Sequence, residues 1–291
     1  MTPYPRIAAA LVSARWCITP TAFAAIRSTF ERACAAAGSP VRAGMYDTPR
    51  PEPEPEPEAE LQAGIMVIPV HGICARYLSA METDCGGLDL NDTEEELREA
   101  MADPRVQGIV LHFNSPGGTV TGIPELAALI RQIGETKPVV AFTDAQCCSA
   151  AYWLATACDS IVVTPTAEVG SIGVYSALVD ESAAWAQEGL KLELMKAGKH
   201  KAMGIPGLPL APEDRALIQA EVDAIYAMFT TDVLAGRARN GAQVAEETMQ
   251  GQTFMGGTAV AVGLADRVVG SLTDLLVELT TMDGANNSTT V

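Results

Sequence analysis

The sequence predicts an α/β fold: a mostly parallel sheet with helical cover. Strand-length apolar runs alternate with helix-length amphipathic segments through the middle of the chain. The first of those runs, Ile65 to Val70, is apolar on both faces, as expected of a strand covered on both sides. Apolar residues make up 48% and charged residues 19% of the 291 residues, an ordinary globular balance that supports a sizeable core.

The elements follow in order. Residues 1–48 hold one amphipathic helix, signalled by Thr19-Pro20 and carrying Phe23, Ile26, Phe30 and Ala33 on one face. The run from Pro51 to Glu58 alternates proline with glutamate; it fixes φ, lacks half its amide donors and repels itself, so 49–60 reads as an extended linker. A domain then spans 61–279. After Ile65–Val70 come a helix from Asp92 to Met101, a strand from Val106 to Phe113 and a helix from Ile123 to Ile133. A strand from Pro138 to Thr143, a helix from Ser149 to Ala157 and strands at Ser160–Val163 and Leu190–Met195 come next. A long helix from Pro212 to Leu234 carries Leu217, Val222, Ile225 and Phe229, and the polar residues 280–291 read as a frayed tail.

Composition excludes several functions. Acidic residues number 36 against 19 basic ones, a formal charge of −17 that repels phosphate backbones, and aromatics are only 5%. Nucleic acid is therefore not an expected partner. No apolar run is long enough to span a bilayer, and Arg15 interrupts the run Ile7–Val12 before a secretory core could form, so no membrane anchor is expected. The seven cysteines are scattered without a CxxC pair, and the three histidines have no metal-ligand spacing. A disulfide scaffold, a metal and a cofactor are not expected; a reducing cytoplasm is.

Three segments carry possible chemistry. Asn114 to Gly118 follows an apolar strand, and its two glycines, Gly117 and Gly118, allow a sharp turn that exposes amides beside a helix. That turn is either an ordinary strand-to-helix connection or a site for a developing oxyanion. Cys147 to Trp153 lies at a second strand-to-helix junction. Ser149 there is either an N-cap or a nucleophile with the Ala150 amide beside it. Cys147 or Cys148 could be the nucleophile, but a thiol wants a histidine base and none has a motif to recommend it. Gly198 to Gly204 is a basic cluster in an acidic chain: a solvated loop, or the seat of a lysine base. Such a base has to be uncharged, and burial is the available cause.

In this order, the Ser-Pro-Gly-Gly turn, Cys148 to Ala155, Gly170 to Val174 and Gly198 to Lys201 resemble the signal peptide peptidase A / phage protein C family of serine proteases. The resemblance runs from about residue 64 to 277 and includes Gly251–Phe254 and Ala259–Asp266. It implies a Clp protease/crotonase-like spiral of repeated ββα units. It also implies Ser149 as nucleophile, Lys201 rather than Lys199 as general base, and the amides of Gly118 and Ala150, with Gly117 adjacent, as the oxyanion hole. Gly170, Ser171, Ile172, Gly173 and Val174 would line the substrate cleft.

The same resemblance implies a homo-oligomeric ring in which a neighbouring subunit supplies Lys201. Membrane-bound members begin with an anchor, which is not expected in this chain. Its N-terminal segment and Cys-Ser-Ala motif resemble the phage head-maturation branch, where any scaffold would be a separate polypeptide or an extension. The implied activity is endopeptidase cleavage of scaffold or capsid proteins. Alternatives are a soluble bacterial housekeeping peptidase of the same family, a crotonase-type acyl-CoA enzyme, or a catalytically silent ring protein.

Overall fold

The computed structural model describes residues 16–19, 23, 24, 26–28, 58–84 and 86–286. Residues 49–57 of the predicted Pro-Glu linker, Phe30 and Ala33 lie outside these residues, as do Cys34 and Cys85; Glu60, the last residue of the predicted linker, begins a strand instead, and residues 23, 24 and 26–28 are helical.

Apolar runs become ladders where both faces can be buried. The strands are β1 (Trp16–Ile18), β2 (Glu60–Gln62), β3 (Ile65–His71), β4 (Ile73–Ala75), β5 (Gly87–Asp89) and β6 (Gly108–Ser115). They continue with β7 (Gly117–Thr119), β8 (Val139–Cys148), β9 (Ser160–Val163), β10 (Glu168–Gly170), β11 (Thr253–Met255) and β12 (Arg267–Val268). The larger sheet runs β11-β10-β8-β6-β3-β2, with β9 and β12 added beside β8. Its inner pairings β3–β6, β6–β8, β8–β9 and β8–β10 are all parallel. A smaller sheet runs β1-β7-β4-β5. The chain thus alternates between sheets: β3 then β4, β6 then β7, each pair followed by a helix. These are the expected ββα units, and the class is the predicted mostly parallel α/β.

The helices are α1 (Ala80–Asp84), α2 (Leu90–Ala102), α3 (Ile123–Gly134), α4 (Ala150–Ala155), α5 (Ser182–Gln187), α6 (Pro212–Arg239), α7 (Gly256–Ala261) and α8 (Leu272–Asn286). Each start has a local cause. Asp89 accepts from the Asn91 amide and caps α2, while Pro124 sits in the first turn of α3. Helix α3 buries Ile123, Leu126, Ala127, Ile130 and Ile133 at helical spacing. One core cluster joins Ile65, Val67, Val110, Val140, Phe142 and Val162 from the sheet to Val269 and Leu275.

Two expectations change. Leu190–Met195 is not a strand. Leu192 and Leu194 are half-buried between exposed neighbours, so the period of two is real, but no described strand offers this segment a ladder. The C-terminal helix continues through Thr280 to Asn286, where the polar composition had suggested fraying.

The described residues fall into two compact units. The larger holds 17–19, 58–173 and 228–286; the smaller holds Trp16, 23–28 and 174–227. In the smaller unit Trp16 and Tyr175 exchange backbone hydrogen bonds, with the Phe23 ring edge-on to both. No described helix is long and apolar enough to cross a membrane.

Candidate active site

Ser149 sits at the junction of β8 and α4 with φ 55° and ψ −117°. A positive φ costs a non-glycine residue of order 1–3 kcal/mol, so the surroundings must hold it there. The holding bonds are visible. The Ser149 amide donates to the Gly170 carbonyl at 2.7 Å, and the Ser149 carbonyl accepts from the Trp153 amide at 2.9 Å. Although Ser149 occupies the N-cap position, its hydroxyl does not cap the helix. The Ser149 side chain is instead placed to hydrogen-bond the Cys17 thiol. Ala150 begins α4, so its amide is one of the four that a helix leaves without an internal acceptor.

Helix α4 is short but locked, with all six residues buried. Tyr152 Oη donates to the Leu264 carbonyl at 2.8 Å, Trp153 Nε1 donates to Asp232 Oδ2 at 2.7 Å, and the Trp153 ring stacks on Phe229 at 4.6 Å. These long-range anchors explain the Tyr-Trp pair of the motif; Ala150 and Ala151 leave room for close approach.

Gly117 and Gly118 have a reason beyond the turn. Strand β7 passes between β1 and β4. A side chain at Gly117, whose φ is +105°, would run into the Cys17 carbonyl and crowd Ser149 Cβ; one at Gly118 would run into the Cys74 backbone. The Gly117 amide donates to Ser115 Oγ at 3.2 Å, and that hydroxyl is also paired with the Cys74 thiol at 3.4 Å. Ser115 is fully buried. The turn's own serine thus fixes the turn, a role that sequence reading missed although the residue stood in the motif.

Gly170 to Val174 begins at the same place. Gly170 lies opposite Cys148 on one side and Thr253 on the other. Ser171, at φ 53°, donates its amide to the Gln252 carbonyl at 2.8 Å, and Ile172 is fully buried. Gly173 closes the segment against Gly251. The Gly251–Phe254 motif is therefore the backbone partner of this segment. Val174 belongs to the smaller unit.

The cysteine alternative loses its chemistry. Burial pushes the Cys147 thiol well above its ordinary value and the Cys148 thiol up to about 12. Burial likewise pushes Cys17 up to about 12, the neighbouring Ser149 side chain drawing it down by less. The five described cysteines are free and buried.

Lys201 belongs to the smaller unit and Ser149 to the larger. Lys201 is exposed in the single chain, where burial had been expected. Its loop is nevertheless built: the Lys201 amide donates to the Gly198 carbonyl, and Lys196 Nζ donates to the Lys199 carbonyl at 2.8 Å. His200 Nδ1 pairs with Asp214 Oδ1 at 2.6 Å, and Asp214 is buried in the first turn of α6. Asp214 was not legible as a partner because it lies thirteen residues past Lys201 with no pattern linking the two. Among the described residues no cluster of three potential metal ligands occurs.

Comparison with known proteins adds the lineage. The chain is 34% identical to capsid assembly protease C of Escherichia phage lambda over 76% of its own length and 50% of that protein. It is 33% identical to head-tail preconnector protein GP5 of Enterobacteria phage P21, over 76% of itself and 44% of the relative. The chain thus spans about half the length of the curated relatives it matches. A solved enoyl-CoA hydratase/isomerase family protein from Silicibacter pomeroyi superimposes with a TM-score of 0.41 at 18% identity, over 77% of this chain and 80% of that one. The family description "Peptidase family S49" matches residues 131–285, which run from the end of α3 through Ser149 and Lys201 into α8. More than half of the sequence thereby answers to a single family, and the chain belongs to peptidase family S49.

Proposed function

We propose that the chain is a serine endopeptidase in which Ser149 is the nucleophile and Lys201 the general base. The observation that carries this reading is the strained Ser149, its hydroxyl withheld from the helix cap and placed next to the first amide of α4. Lys201 takes the Ser149 proton as Oγ attacks a peptide carbonyl. The Gly118 and Ala150 amides hold the oxyanion, each worth on the order of 3 kcal/mol of barrier. Gly117 is the weaker donor candidate because its amide already serves Ser115. The protonated lysine then gives its proton to the leaving amine, and water, activated in turn, releases the acyl group. Gly170 to Val174, held beside Ser149, supports an extended substrate.

An exposed lysine in the single chain supports the ring reading: a second copy closing over Lys201 would take it out of water, which favours the uncharged base. The phage relatives support a role in head assembly, with scaffold or capsid proteins as substrates. An acyl-CoA reaction has less support, since the matched family is one of peptidases.

The test is a labelling experiment. A fluorophosphonate is expected to modify the chain at Ser149, located by peptide mass spectrometry, while iodoacetamide at pH 8 leaves Cys147 and Cys148 unmodified and activity intact. Both thiols stay protonated there because burial holds their pKa values far above the buffer. Label on another serine, or inactivation by thiol alkylation, removes the proposal. The loop gives a second expected result: Asp214→Asn weakens the hold on His200 and lowers kcat for peptide hydrolysis about 10- to 100-fold, with the fold retained by circular dichroism.

A further inference from the structure

A protease substrate reaches its nucleophile as an extended strand, and the place beside this nucleophile already holds one. Strand β1 lies along β7, on the edge of that strand opposite β4. The Thr19 amide donates to the Pro116 carbonyl at 3.0 Å, the Cys17 carbonyl lies against the Gly117 Cα, and the Cys17 side chain lies beside Ser149. Cys17 and Ile18 are buried to 0% and 2% exposure, and Ser149 itself to 1%. A three-residue strand whose other edge makes only the isolated Trp16–Tyr175 bridge, about thirty residues ahead of the Pro-Glu run, is held by few backbone bonds.

We infer that residues 17–19 occupy the strand-addition slot along β7 as an intramolecular ligand beside Ser149, and that an external peptide enters by displacing them. The ligand class is an extended peptide held mainly by backbone hydrogen bonds, with a small or apolar side chain at the position of Cys17. The inference rests on Ser149 as nucleophile. It makes the resting chain self-covered, and the apparent affinity for substrate is reduced by the fraction of molecules whose slot is open.

The experiment loosens β1 in the full chain. Thr19→Pro removes the amide that donates to Pro116, and Ile18→Asp places a charge where an apolar side chain is buried. Cleavage of a fluorogenic peptide and the rate of fluorophosphonate labelling are measured for each, with circular dichroism as the control for folding. Both rates are expected to rise at least about tenfold as the open fraction grows. A synthetic peptide of residues 14–21 is expected to inhibit the loosened chains competitively and the parent weakly.

A fall in both rates with the fold retained overturns the inference and makes β1 a support of the oxyanion strand instead. Unchanged rates overturn it as well. Ser149→Ala placed in the Ile18→Asp background separates the two readings. If the double variant still cleaves peptide, the nucleophile assignment fails. If it is inert while Ile18→Asp alone matches the parent, only the covering segment fails.

Discussion

Ser149→Ala and Lys201→Ala are each expected to lower peptidase kcat by at least about 1,000-fold while leaving the far-ultraviolet circular dichroism unchanged. The size follows from the roles proposed for the two groups. Removing the nucleophile abolishes the acyl-enzyme route, and removing the base leaves a hydroxyl that ionises too rarely to attack. Neither replacement disturbs packing: alanine at 149 removes an oxygen that makes no helix cap, and Lys201 is exposed. Mixing the two inactive proteins supplies a sharper result. If a neighbouring subunit provides the lysine, co-refolded Ser149→Ala and Lys201→Ala chains regain part of the activity, because some interfaces pair an intact serine with an intact lysine. A mixture as inactive as its components places both groups within one chain. Retention of activity by either single variant removes the dyad altogether.

The largest expected effect on stability lies away from Ser149, at Arg237 on α6. Its guanidinium is 2% exposed and forms a two-pronged pair with Asp266, with contacts of 3.0 Å and 2.6 Å, while its Nε donates to the Gly263 carbonyl. Asp266 Oδ2 also accepts from the Ile161 amide at 2.6 Å, and so ties α6, β9 and the loop before β12 together. Asp266→Ala strands a buried cation and leaves a strand amide without its acceptor. Breaking such a pair from one side costs about 3–5 kcal/mol. In a chain of this size that corresponds to a fall in Tm on the order of 10 °C, read by differential scanning calorimetry. The Leu264 carbonyl, next to Gly263, anchors Tyr152 of α4, so activity is expected to fall earlier on heating than in the parent. A loss of under 1 kcal/mol contradicts the role given to this pair.

What the sequence disclosed tracks how local each cause is. Strands β3, β6, β8 and β9 were legible because inner parallel strands are apolar on both faces, and α3 because its buried residues recur at helical spacing. Leu190–Met195 misled because alternation describes a pleat, whereas a ladder needs a partner elsewhere in the chain. Strands β1 and β7 went unread for the opposite reason: three residues carry no period, and their pairing depends on a contact between Thr19 and Pro116. At the site, Ser149 and the two glycines stood out by motif; the structure adds the positive φ of Ser149 and, for the glycines, the close approach of the Cys17 and Cys74 backbones. Ser115, Asp214 and Asp232 remained invisible because their roles exist only as distances.

The bond from the Ser149 amide to Gly170, and the pairing of Gly170 with Thr253, have a consequence for biosynthesis. A ribosome releases the segment of Ser149 about a hundred residues before it releases the strand that steadies the backbone on which the serine leans. A nascent chain therefore carries Ser149 without its final backbone support over about a third of the sequence. If Ser149 is the proposed nucleophile, its geometry is completed only once the strand around Thr253 has formed.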